Sequence, residues 1–137
     1  MATIEVKPLV LKDVLLRIDA DNYEKHVSGV VWVPTAPSQT WQGLTPDASF
    51  TDVGTATYQL TLNYVQDWET TDSLSLYLHE NEGETVEMVF TPVKGTGKRT
   101  FTADVTITPG QIGGEVNAFA TTSVTLGSTK PVIGTAA

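Results

Sequence analysis

A chain of 137 residues in which 40% are apolar is long enough for one domain, which at this size buries about 68% of the surface of the unfolded chain. Its 16 acidic and 8 basic residues give a formal net charge of −8. This balance argues against binding to a phosphate backbone, because lysine and arginine drive that binding by displacing counterions. The chain contains no cysteine, which excludes disulfides, thiolate metal sites and a cysteine nucleophile.

Two apolar runs near the N-terminus alternate with polar residues, as strands with one buried face do. They occupy residues 14–18 and 30–33, and the polar stretch 19–28 separates them. This pattern predicts a long hairpin.

Residues 34–53 are rich in proline, serine, threonine, glycine and aspartate, and contain two isolated aromatic residues, Trp41 and Phe50. Their composition predicts a long irregular loop. Because loops of this length are uncommon in a compact domain unless they have a function, we expect this one to make a contact.

The clearest alternation lies at residues 58–64, where two tyrosines and two leucines share one face. Residues 86–90 and 101–107 alternate in the same way and should pair as a hairpin. Their connection, residues 91–100, is too long for a two-residue turn and should form an exposed basic tip. Its basic residues are Lys94, Lys98 and Arg99.

One segment predicts a short amphipathic helix instead. Residues 74–78 place apolar side chains at i, i+3 and i+4, Thr71 or Asp72 is available as the N-cap, and Gly83 marks the end. Three acids sit where the helix dipole disfavours negative charge by a few tenths of a kcal/mol each, which suggests that a partner neutralises them. These acids are Glu80, Glu82 and Glu84.

A last strand is predicted at residues 116–126, and residues 127–137 predict a flexible tail. Taken together, residues 1–137 predict a single all-β domain with one short helix packed against its sheets.

Four features resemble chemical motifs but lack the required pattern. Residues 94–98 look like a phosphate-binding loop without its first glycine or its Ser or Thr after the lysine, and a hairpin tip explains them better. The acidic cluster at 19–26 fails the spacing of a calcium loop, and the two histidines lack a third ligand at a recognisable spacing. No serine has the neighbours of a nucleophile elbow. We therefore expect no enzyme activity, no metal site and no cofactor.

The second half of the chain resembles a known family. The segments YQLTLNYVQDW (58–68), TTDSLSLYLHENEGE (70–84) and VEMVFTPVKG (86–95) are similar to a strand, helix and strand of the major tail tube proteins of long-tailed, non-contractile bacteriophages (siphophage major tail proteins). The segment FTADVTITPGQIGGEVNAFATTSVTLG (101–127) continues the resemblance.

This resemblance implies a β-sandwich or rolled barrel with a flanking helix, of which six copies form a ring. The rings would stack into a tube around the tape measure protein, with tail terminator and tail tip proteins as further partners. Viral DNA would pass through the lumen without specific binding, and no membrane is involved. The protein would be made in the host bacterial cytoplasm and reside in the virion tail.

Three expectations about residues follow from this role. Trp41 should lie at a contact between subunits, and the basic tip should reach the acidic helix end of a neighbour. The lumen should carry net negative potential, with Asp19 and Asp104 as candidate wall residues, because a wall without cations gives phosphates nothing to neutralise. The alternative is a soluble β-sandwich binding module that uses residues 34–53 as its binding loop.

Overall fold

The computed structural model describes residues 2–136, which form ten strands and one helix. The elements in chain order are β1 (Leu15–Ile18), β2 (Asp21–Asn22), β3 (Val27–Thr35), β4 (Ser38–Gln42), β5 (Ser49–Val53), β6 (Thr57–Val65), α1 (Leu74–Glu80), β7 (Thr85–Thr91), β8 (Arg99–Thr106), β9 (Thr121–Ser128) and β10 (Val132–Thr135).

Most strands belong to one antiparallel sheet that rolls into a barrel. Its order is β2-β1-β7-β8-β9-β6-β3, and β10 pairs with β8 outside this path. Trp32 of β3 and Phe90 of β7 have ring centroids 5.8 Å apart, although β8, β9 and β6 separate their strands in the sheet. The sheet bends where β9 passes into β10. β9 pairs with β6 along its length, whereas β10, which follows it in the chain, pairs with β8.

The core fills the inside of this roll with the alternating side chains that the sequence predicted. Leu60 of β6, Met88 of β7 and Val105 of β8 are fully buried in one cluster. Leu74 and Leu78 of α1 belong to the same cluster and are equally buried. Each such side chain contributes about 1.5–3 kcal/mol through the apolar surface it removes from water.

The helix is confirmed, but its predicted N-cap is wrong. The cap is Ser73, whose hydroxyl accepts a hydrogen bond from the backbone N–H of Leu76 at 3.5 Å. The preceding residues are held in a turn, where the Asp67 carboxylate accepts hydrogen bonds from the backbone N–H groups of Glu69 and Thr70 at 3.0 and 3.1 Å. Hydrogen bonds, chiefly from Thr70, hold the pKa of Asp67 below its usual range because they favour the charged form.

This turn leaves Thr71 and Asp72 outside the helix and makes Ser73 the residue that can cap it. The helix ends at Glu80, before the predicted end at Gly83, and its C-cap Asn81 donates its backbone N–H to the carbonyl of Tyr77 at 3.1 Å. Within residues 2–136, no helix has the length and apolar character needed to cross a membrane.

The predicted hairpin between residues 14–18 and 30–33 is wrong. β1 pairs with β2 and β7, whereas β3 pairs with β6. The polar stretch between them makes its own tight turn, where Asp19 has a φ of 56°, a left-handed conformation that aspartate tolerates. The stretch then buries Tyr23 in the core, and burial, aided by the charge of Asp21, raises the pKa of Tyr23 to about 12. The chain therefore runs back along β1 only as far as Tyr23, whose backbone N–H donates to the carbonyl of Leu16 at 2.9 Å, and β3 then pairs elsewhere.

Residues 34–53 are not an irregular loop. β4 and β5 form a separate two-stranded hairpin, in which Trp41 lies directly opposite Phe50. The backbone N–H of Gly43 donates to the carbonyl of Ala48 at 2.6 Å and closes the turn. We call this hairpin, residues 38–53, the arm.

The C-terminal region also differs from the prediction. The strand predicted at residues 116–126 begins only at Thr121, because Asn117 has a φ of 67° that interrupts an extended backbone. The tail predicted at residues 127–137 is largely strand within the described residues, since β9 continues to Ser128 and β10 pairs with the start of β8. Residue 137 lies outside the described residues.

Candidate assembly surfaces

The β7–β8 hairpin has two ends that carry different surfaces. At the first, β7 ends and β8 begins, and the contact between Trp32 and Phe90 places this end near the base of the arm, so we call it the arm end. At the second, β8 ends, β7 begins and the segment after α1 enters, so we call it the helix end.

The basic tip, residues 92–99, lies at the arm end. Its residues from Val93 to Arg99 are exposed, as the sequence predicted. The Lys94 ammonium lies 4.0 Å from the Asp13 carboxylate, an ion pair between two exposed side chains. The backbone of Ala136 exchanges hydrogen bonds with Gly97 and Lys98 at 2.9 and 2.7 Å. The tip is therefore held in place by the C-terminal segment while its cations face outward.

The acidic segment, residues 80–84, lies at the helix end. Its three glutamates are exposed. Gly83 donates its backbone N–H to the carbonyl of Ile107 at 2.9 Å, and Ile107 donates to the carbonyl of Glu84 at 2.8 Å. These bonds fix the segment just beyond the last residue of β8.

The basic tip and the acidic segment are thus separated by the length of β8. Eight strand residues at about 3.3 Å each span roughly 25 Å. The two groups of opposite charge cannot meet within one subunit. A second copy placed end to end would bring them together.

The arm carries an exposed aromatic pair. Trp41 and Phe50 are 63% and 66% exposed, with ring centroids 6.2 Å apart. Because side chains alternate along a strand, Gln39 and Asp52, which also lie opposite each other, share this face. We call these four residues the aromatic face of the arm. Exposed aromatic residues in such a cluster are typical of protein contacts.

An open apolar groove lies beside the base of the arm, at the arm end. It has a volume of about 510 Å³. Its walls come from strands far apart in the chain, so no local sequence pattern indicates it. Its lining includes Trp32, Pro34, Phe90, Phe101, Lys130 and Ile133.

The two predicted lumen residues lie on either side of Glu87. The backbone N–H of Asp19 donates to the carbonyl of Glu87 at 2.8 Å, and Asp104 lies opposite Glu87 in the β7–β8 register. The Arg17 guanidinium binds the Glu87 carboxylate at 2.9 Å. Because Arg17 neutralises Glu87, Asp19 and Asp104 contribute uncompensated negative charge to the outer surface around Glu87.

Two solved structures share this fold. The first is a chain of the virion of a native gene transfer agent particle, with a TM-score of 0.61 and 14% sequence identity over 91% of this chain and 96% of that chain. The second is a chain of an extracellular contractile injection system, in a PVC sheath-tube complex in its extended state. Its TM-score is 0.65, at 13% identity over 93% of this chain and 92% of that chain.

The chain matches no protein-family model and no curated protein. The likeness at these identities is one of fold. The predicted all-β fold of the tail tube type with one short helix is confirmed.

A second outer face, formed by β3, β6 and β9, carries no charged side chain. Its side chains alternate with buried ones and are mostly hydroxyls, amides and small apolar groups. They are Gly29, Val31, Val33, Thr35, Thr57, Gln59, Thr61, Asn63, Thr121, Ser123, Thr125 and Gly127. In a chain with a net charge of −8, a neutral surface of this extent is a second candidate for a contact or a channel wall.

Metal binding has no visible basis in the described part of the chain. Residues 2–136 contain no group of three or more His, Cys, Asp or Glu side chains placed to hold an ion. The two histidines are packed against aromatic rings instead, His26 against Tyr23 at 5.8 Å and His79 against Trp68 at 5.3 Å.

Proposed function

We propose that this chain is a non-enzymatic structural subunit that assembles with copies of itself into stacked rings, forming the tube of a phage tail or a related particle. The observation that carries the proposal is the placement of the basic tip and the acidic segment at opposite ends of β8, in a barrel that shares its fold with chains of two assembled particles. The barrel aligns almost end to end with both chains.

Opposite charges at opposite ends favour a head-to-tail contact. Such a contact uses two different surfaces, so it repeats along an axis instead of closing into a dimer. In this arrangement the tip of one subunit meets the acidic segment of the subunit in the next ring. A ring multiplies this small contact by its number of subunits.

The finer assignment follows the family resemblance of the second half of the chain. We propose a tube of the non-contractile siphophage type, built from six-membered rings around a tape measure protein and closed by tail terminator and tail tip proteins. Viral DNA passes through it during ejection. The chain would then be made in the host bacterial cytoplasm and would reside in the virion tail.

A soluble binding module is the competing function, and the mass in solution separates the two. A module keeps the 14.7 kDa mass of one chain at every concentration. A tube subunit should show a mass that rises with concentration to rings and longer assemblies in light scattering. A constant single-chain mass, also in the presence of tape measure protein, would reject the tube.

The channel wall gives a further prediction, because a conduit must release DNA. We expect net negative potential in the lumen, with Asp19 and Asp104 on its wall. Asp104→Lys should then make assembled tubes retain DNA, and added salt should reverse the retention. Thr125→Lys, on the uncharged face, is the matched control. Retention by the Thr125 variant alone, or a lysine-lined channel in a reconstruction, would contradict this assignment.

A further inference from the structure

Two exposed apolar features of the described residues are complementary to each other. The aromatic face of the arm presents two rings to solvent, and the apolar groove is an open concavity with aromatic and aliphatic walls. Resting on the tube function proposed above, we propose that the aromatic face of one subunit docks into the groove of a second copy, with Trp41 and Phe50 inserted and Asp52 paired with Lys130.

The charges at the two surfaces support this pairing. Asp52 lies next to Phe50 on the aromatic face, and Lys130 lies on the lining of the groove. Neither side chain forms an ion pair within residues 2–136. An ion pair at the rim would therefore fix the orientation of the aromatic pair without breaking an ion pair inside the subunit.

The arm does not fill the groove of its own subunit. It leaves the barrel beside the groove, whose lining includes Pro34 and Tyr58. Its base is closed by a hydrogen bond of 2.7 Å from the backbone N–H of Gly54 to the carbonyl of Pro37. Trp41 follows the last residue of β3 by six positions, which spans about 20 Å in an extended chain. The aromatic pair is therefore carried away from its own barrel.

The docking contact and the charged contact use different residues. The aromatic face and the groove share no residue with the basic tip or the acidic segment. The two contacts can therefore be disrupted separately.

Cysteine crosslinking tests the docking directly, because the chain has no cysteine of its own. The variants Asp52→Cys and Lys130→Cys are made separately, mixed, assembled and oxidised mildly. A disulfide in the mixture can then form only between copies. A second mixture uses Thr51→Cys, which places the sulfur on the opposite face of the arm, with Lys130→Cys. Each single variant oxidised alone measures pairing between identical sites.

We expect at least about tenfold more crosslinked dimer from the Asp52 mixture than from the Thr51 mixture. Docking brings positions 52 and 130 to one contact, where small movements of the exposed backbone let the two thiols meet, whereas position 51 faces away from it. The double variant Asp52→Cys/Lys130→Cys should give a ladder of covalent multimers. Equal yields from the two mixtures, in samples where micrographs show rings or tubes, would overturn the docking and leave the tube function intact. A double variant that forms only an internal disulfide would overturn it as well. Absence of any assembly would overturn both proposals.

Discussion

Reversal of Lys94, Lys98 and Arg99 to glutamate should leave the subunit folded and stop rings from stacking into tubes. The tip is exposed, and its one ion pair within residues 2–136 joins Lys94 to Asp13 at 4.0 Å. Exposed pairs contribute about 0–1 kcal/mol each, so folding loses little. The stacking of rings is weakened more, because each reversed tip repels an acidic segment and this repulsion occurs at every subunit of the ring. Tube length in micrographs and circular dichroism of the subunit measure the two effects.

The compensating change tests the pairing itself. Lysine at Glu80, Glu82 and Glu84 should block stacking alone and restore it when combined with the reversed tip. Each reversal of Lys or Arg to Glu lowers the net charge by two, so the tip variant carries −14 instead of −8. A control places charge reversals away from the tip, by substitution of glutamate for two exposed lysines, Lys7 and Lys25, which gives a net charge of −12.

This control should still form tubes. If the control variant also fails to form tubes, general charge repulsion between subunits explains the loss of stacking. If both triple variants fold and their combination does not assemble, the tip does not pair with the acidic segment.

Trp41→Ala should weaken assembly far more than it weakens the fold. Trp41 is 63% exposed, and its ring lies against Phe50 and beside Gly43 of the arm, so its loss should cost the isolated subunit less than about 1 kcal/mol. A tryptophan anchor at an interface is worth about 2 kcal/mol or more, which corresponds to a roughly 30-fold higher concentration for assembly. Light scattering against concentration measures assembly, and thermal unfolding measures the fold.

Val53→Ala is the matched control for Trp41. Val53 is also an exposed apolar residue of the arm, at 59%, but it lies on the opposite face of the hairpin. The Val53→Ala variant should assemble nearly as well as the unchanged protein. Equal losses of folding and assembly for Trp41→Ala would make Trp41 an ordinary structural tryptophan of the arm.

The sequence predicted those parts of the fold in which local pattern and packing agree. The strand at residues 58–64, the hairpin of β7 and β8 and the helix all have one apolar face, and that face is buried in each. In these elements the spacing of the apolar residues matches the spacing of the buried side chains. The exposed basic tip followed from the length and composition of the connection.

The parts that the sequence did not predict depend on contacts that local pattern does not contain. The arm lies off the main sheet and buries no apolar face, so its strands lack the usual alternation. β10 forms because the first half of β8 has an edge available for pairing, a property of the assembled barrel. The groove, likewise, exists only after β3, β7, β8 and the segment around Lys130 come together. Each of these features is nonlocal.

Electron microscopy of concentrated, purified protein in negative stain tests the central claim most directly. The account predicts rings with a central channel, and stacks of such rings that lengthen into tubes as concentration rises or tape measure protein is added. A field without rings or tubes at high concentration, with tape measure protein present and the chain folded, would contradict it.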